Sequence, residues 1–319
     1  MVRWQRKERS ENLDDRRASS SSGGGFGGLG GLPFPLPTGK GGKGGLGLIV
    51  IMVLGVVLTQ CLGGGGSGGA GSAGGFDISD VLNQFPGATP QAAPGEDITE
   101  EGPDPEQELV DFMNFVLIDV QDTWSGEFAE AGEDYPDADL VLFRNAVNTG
   151  CGGASSATGP FYCPLDQKVY VDLGFFEELR SQFGAPGDFA QAYVLAHEIG
   201  HHVQNVLGIN PEVRQLQQQQ PERANELSIR QELQADCLAG IWAHSAFERD
   251  LLEEGDLEEG IAAAEAVGDD RIQSSAGGGV NPETWTHGSS EQRIRWFQVG
   301  FDTGDVNRCD TFRVSENEL

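Results

Sequence analysis

The stretch "AYVLAHEIGHHVQNVLG", Ala192 to Gly208, places three of the chain's five histidines and one glutamate inside an otherwise apolar run. Phe189, Ala192, Ala196, Ile199, Val203 and Val206 recur three or four residues apart, the period of a helix with one buried stripe. Gly187 and Asp188 of "APGD" supply a start signal and Gly208 a stop. A buried helix tolerates titratable side chains only where something satisfies them. The segment therefore specifies a core element and a polar site beside it.

His197 and His201 are one helical turn apart, so their imidazoles project from one face and can grip one cation. Glu198 lies about 100° around the axis, placed to act on a metal-bound water without being a ligand. This is the HExxH arrangement, with zinc polarising the water and the glutamate as general base. A catalytic zinc wants a third protein ligand and one open position. The continuation HExxHxxGxxH fails, because Gln204 and Leu207 stand where glycine and histidine would be. Farther on, "RQELQADCLAG" offers Glu232 and Asp236 on one face, flanked by the small residues Ala235 and Ala239. Glu232 would complete a His₂Glu site for one Zn²⁺ per chain. Asp236 could accept a hydrogen bond from a ligand histidine and fix its tautomer. His202 points away from His201 and reads as a packing residue, and His244 has no assigned role. His287, before a helix start in "TWTHGSSEQRIRWF", could stabilise an oxyanion. Arg293 and Arg295 read as structural charge partners.

Much of the 319-residue chain reads as linker. Residues 19–47 and 62–75 are dominated by Gly and Ser, and 86–105 by Pro, Gly and acidic groups; such stretches bury too little to offset chain entropy. "LGLIVIMVLGVVLTQCL", Leu46 to Leu62, holds no charge over seventeen residues, the short end of what spans a bilayer. Residues 1–43 carry eight Lys/Arg against four Asp/Glu, whereas the remainder carries twelve against forty-six. By the positive-inside rule the expectation is a single-pass anchor in the cytoplasmic membrane, amino terminus in the cytoplasm and acidic bulk outside. Gln60 before Cys61 does not suit a lipoprotein cleavage site. The division expected is 1–45 basic and glycine-rich, 46–62 transmembrane, 63–103 linker and 104–319 the folded domain. So acidic a domain excludes nucleic acid as a partner.

Cys151, Cys163, Cys237 and Cys309 are an even set, which in an oxidising compartment suggests two disulfides among three possible pairings. Cys151 and Cys163 bracket a Gly/Ser/Ala loop, which would leave Cys237 with Cys309. Free thiols or a cysteine zinc site are the alternatives, the latter without any CxxC pair.

Periodicity predicts a helix over 103–124, strands over 139–147 and 168–176, and a short helix at "FEELRSQF". Further helices are expected at 221–244, 256–267 and 289–300, the last with a Ser289–Gln292 capping box. The glutamine-rich "RQLQQQQPE" reads as a loop. The fold class is α+β, mostly helical with a small early sheet.

"FYCPLDQKVYVDLGFF", "AYVLAHEIGHHVQ", "ELQADCLAG" and "RCDTF" together resemble the bacterial neutral zinc metallopeptidase family, the YpfJ-like proteins. The amino-terminal "RWQRKERSENLDDRR" and "GGKGGLGLIVIMVLG" resemble that family's basic segment and single transmembrane helix. The resemblance implies a zincin-like, gluzincin-type domain that hydrolyses protein or peptide substrates. It implies His197, His201 and Glu232 as ligands and Glu198 as base. "ELQAD" and "THGSSEQRI" are also similar to their counterparts in the HtpX/Ste24 membrane-associated peptidases, which brings His287 forward as a catalytic candidate. The alternative function is a zinc-containing, non-proteolytic binding or assembly factor at the envelope.

Overall fold

The computed structural model describes residues 1–18, 103–181, 184–275 and 280–319. Helix α1 (Gln107–Ala131) buries Val110, Met113, Val116, Val120 and Trp124. It continues seven residues past the predicted end because Phe128 prolongs the apolar stripe. Gly132 stops it at φ 78°, a left-handed conformation that returns its N–H to the last turn.

A four-stranded sheet follows, in the order β1 (Leu13–Asp15), β2 (Asp139–Phe143), β6 (Lys168–Asp172), β5 (Phe161–Cys163). β1, β2 and β6 run parallel, and β5 is antiparallel to β6. The runs "LVLF" and "VYVD" are buried without alternation, as expected of strands covered on both faces. Both predicted strands end early, for a shared reason. Asp172 accepts hydrogen bonds from the backbone N–H of Asn145 and of Gly174, each at 2.9 Å, and pairs with Arg144 at 3.0 Å. It thereby turns the chain after β2 and starts helix α2 (Gly174–Ser181) after β6. Between them a hairpin of β3 (Ala146–Thr149) and β4 (Gly152–Ser155) forms a separate two-stranded sheet.

The remaining helices are α3 (Asp188–Val206), α4 (Ile209–Gln219), α5 (Ala224–Glu248), α6 (Asp256–Ala266), α7 (Asp269–Ser275) and α8 (Ser290–Thr303). The expected Ser289–Gln292 capping box opens α8. The glutamine-rich segment departs from expectation: it forms α4. Glutamine is a good helix former, Val213 gives the helix a buried anchor, and Asn210 and Gln217 bond to neighbouring helices. Cys151–Cys163 and Cys237–Cys309 are disulfides.

Residues 1–17 overturn the expected boundary at 104. Leu13–Asp15 pair with Leu140–Leu142, and Val2 and Leu13 are buried in the main core. The folded domain thus begins with the amino-terminal arm. The expected transmembrane helix, 46–62, lies outside the described residues, among which no helix is long and apolar enough to cross a membrane.

Candidate metal centre

Two helices meet at the site because their contact is made of small residues. A Cβ added at Gly200 of α3 would lie 3.0 Å from the Ala235 carbonyl oxygen of α5. The backbones therefore approach closely just where Glu232 and Asp236 leave α5, bringing both carboxylates under the histidine face of α3.

His197 Nε2 lies 3.3 Å from one Glu232 oxygen, and His201 Nε2 lies 3.4 Å from the other. The two imidazole rings are edge to face, 4.8 Å apart. The opposite ring nitrogens are already engaged. His197 Nδ1 is 2.8 Å from Asp236 Oδ1, and His201 Nδ1 is 2.8 Å from Gln204 Oε1. Since a carboxylate and an amide oxygen only accept, each Nδ1 carries a proton, which leaves Nε2 as the nitrogen that can ligate a metal once it is unprotonated. Two Nε2 atoms and a carboxylate converging on one point call for positive charge there, as protons on the imidazoles or as a metal ion. The donor set, two imidazoles and one carboxylate, is that of a catalytic zinc.

Electrostatics show how strongly the site draws positive charge: burial acts to lower both imidazoles, but Asp236 and Glu232 raise His197 to about 10, and Glu232 raises His201. Burial acts to raise the Glu232 carboxyl, but the two imidazoles outweigh it and hold it well below the usual carboxylate range. Burial likewise opposes ionisation of Asp236, and the Arg293 guanidinium overrides it. Arg293 reaches Asp236 through Nε at 2.7 Å and Nη2 at 2.8 Å, and Tyr193 donates its hydroxyl to the same carboxylate at 2.5 Å. All three are buried. Arg293, read from sequence as a charge partner, is thus the counter-charge of the residue that orients His197.

Glu198 is also buried, and desolvation pushes its carboxyl up against the pull of the two histidines. His287 lies at the mouth of the α7–α8 turn. Its Nδ1 is 3.1 Å from Asp269 Oδ1, and Asp269 Oδ2 accepts from the His287 backbone N–H at 2.7 Å. Burial would lower its pKa, but Asp269 and the nearby charge of Glu232 raise it. His202 belongs to a different environment. It donates Nε2–H to the Pro136 carbonyl at 2.6 Å and accepts from the Tyr162 hydroxyl at 3.0 Å. With both nitrogens satisfied away from the other histidines, it packs rather than ligates.

Tyr193 and Asp269 were not singled out in the sequence, and Gln204 was read only as a departure from the extended motif. Tyr193 stands four residues before His197 and Gln204 three after His201, so helical spacing could have found both. Asp269 opens α7, eighteen residues before His287, and no spacing rule connects them.

The family model described as "Putative neutral zinc metallopeptidase" matches residues 2–312. "Uncharacterized protein YpfJ" of Escherichia coli (strain K12) is 44% identical over 315 residues, covering 98% of this chain and all of the relative. "Uncharacterized protein Rv2575" of Mycobacterium tuberculosis (strain ATCC 25618 / H37Rv) is 42% identical over 256 residues, covering 76% of this chain and 85% of the relative. No solved structure matches.

Proposed function

The chain belongs to the neutral zinc metallopeptidase family, and we propose that it is a zinc endopeptidase in which His197, His201 and Glu232 hold the metal and Glu198 is the general base. The observation that carries the reading is the convergence of the two Nε2 atoms and the Glu232 carboxylate. Zinc, when bound there, supplies a polarised water and an electrophilic partner for the scissile carbonyl.

The chain's own residues supply the rest. Glu198 follows a ligand directly in sequence without sharing its face, so its carboxylate can take a proton from the attacking water and return it to the leaving amine. Its raised pKa suits a group that must hold a proton between those two events. Asp236, locked by Arg293 and Tyr193, keeps the His197 proton on Nδ1. Gln204 does the same for His201. His287, held by Asp269, can donate to the oxyanion as it forms. β5 is the edge of the sheet, and its Tyr162 touches His202 of the metal helix. An extended peptide could add to that edge as a further strand.

The test uses the full chain and an unfolded protein such as reduced casein. The parent should cleave it, a chelator should stop the cleavage, and Glu198→Gln should lose at least about 100-fold of the rate. Equal turnover by Glu198→Gln and parent would refute the mechanism. Zinc-loaded protein without turnover would favour a binding role.

A further inference from the structure

The amino-terminal arm occupies a built groove in the folded domain. Leu13, Asp14 and Asp15 pair with Leu140, Val141 and Leu142 as the outermost strand of the sheet. Trp4 packs against Phe112 and Phe115 of α1, with ring centroids 5.5 and 6.3 Å apart. Asn114 of α1 is buried and used entirely by the arm, accepting from the Ser10 N–H at 2.8 Å and donating to the Glu8 carbonyl at 3.0 Å. At the far end the Val2 N–H reaches Asp188, the first residue of the metal helix, at 3.0 Å. Without the arm, α1 would expose two phenylalanines and a buried amide, and β2 a strand edge.

The arm's cations are also spoken for. Arg3 pairs with Asp250, Arg6 with Asp111 and Lys7 with Asp122. Arg17, 7% exposed, binds Asp104 at 2.7 Å and Glu106 at 3.1 Å. The basic cluster that resembles a positive-inside signal is therefore a set of counter-charges for an acidic domain. Moreover, the Arg17–Asp104 contact brings together the two ends of the stretch that carries Leu46–Leu62.

We infer that the amino-terminal arm and the catalytic domain lie on the same side of any membrane the chain meets, so that the apolar run Leu46–Leu62 does not part them by a single crossing. A strand cannot pair across a bilayer. Returning to the same side would take two crossings, each needing about 20 apolar residues, and the run has seventeen. This inference does not depend on the peptidase reading.

The experiment uses the full chain in cells, in a Cys61→Ala background where the other cysteines are in disulfides. One reporter thiol is placed at Arg6→Cys and, in a second protein, at Arg313→Cys; these side chains are 68% and 89% exposed. A membrane-impermeant maleimide should label both or neither in intact cells with a permeabilised outer membrane, and both once all membranes are opened. Labelling of one without the other in intact cells would overturn the inference. In parallel, Leu13→Ala should lower the Tm of the full chain by several degrees, because Leu13 is 7% exposed in the core. An unchanged Tm would mean that the arm is not seated, and would overturn it as well.

Discussion

Asp236 receives hydrogen bonds from Tyr193, His197 and Arg293 at once. Only a carboxylate offers enough lone pairs for three donors. Asp236→Asn keeps the shape but sets an amide N–H against Arg293 or His197, so the tautomer that exposes Nε2 is no longer enforced. Zinc affinity, measured by competition with a chromophoric chelator, should fall about 10–100-fold while the helical circular dichroism is retained. Undiminished affinity would mean that Asp236 does not tune the ligand. At this scale the sequence was informative for the histidine and carboxylate pairs one turn apart, although the His201–Gln204 bond within α3 went unread. The pairs His197/His201 and Glu232/Asp236 follow from one-turn spacing, and "ELQAD" places both carboxylates on one face. Arg293 was visible as a charge but not as the partner of Asp236, because 57 residues separate them and only the packing of α8 on α5 joins them.

That packing is itself built on glycine. A Cβ at Gly240 of α5 would collide with the Phe297 carbonyl of α8, and one at Gly300 of α8 with the Cys237 carbonyl of α5. The obstacles are backbone atoms of rigid helices, which cannot swing aside. Gly300→Ala should therefore destabilise the protein by about 1–3 kcal/mol or more, despite alanine's better helix propensity. Gly126→Ala in α1, where nothing lies within 4 Å, should be neutral or stabilising by up to about 1 kcal/mol. Thermal melts of the two variants check the contrast, and equal effects would contradict the packing argument. Elements with a strong period, such as α1, α3 and α5, were legible in the sequence to within a few residues at most ends. α4 was not, because polar glutamines hide a helix whose anchoring contacts are with its neighbours. β1 was not, because "LDD" has no alternation and becomes a strand only by pairing with β2, more than a hundred residues away.

Taken whole, the molecule is an acidic domain, with formal charge −30 for the full chain, whose own basic arm neutralises part of the surface it covers. The buried Cys237–Cys309 bridge ties the carboxyl-terminal segment to α5 one residue beyond Asp236, and Gln234 Nε2 donates to the Cys309 carbonyl at 3.0 Å. The tail is thus held to the helix that carries Glu232 and Asp236, while the arm reaches the first residue of the helix that carries His197 and His201. A metal bound only by the native state adds RT ln(1 + [L]/Kd) to stability, about 2.7 kcal/mol at a hundredfold excess over Kd. Zinc content is consequently the most direct measure of the central claim. Elemental analysis of the purified full chain should find about one zinc per chain in the parent and in Glu198→Gln. Glu232→Ala, with the same helical content, should retain only a small fraction of it. Full zinc occupancy in Glu232→Ala, or a folded parent that takes up none, would contradict the account.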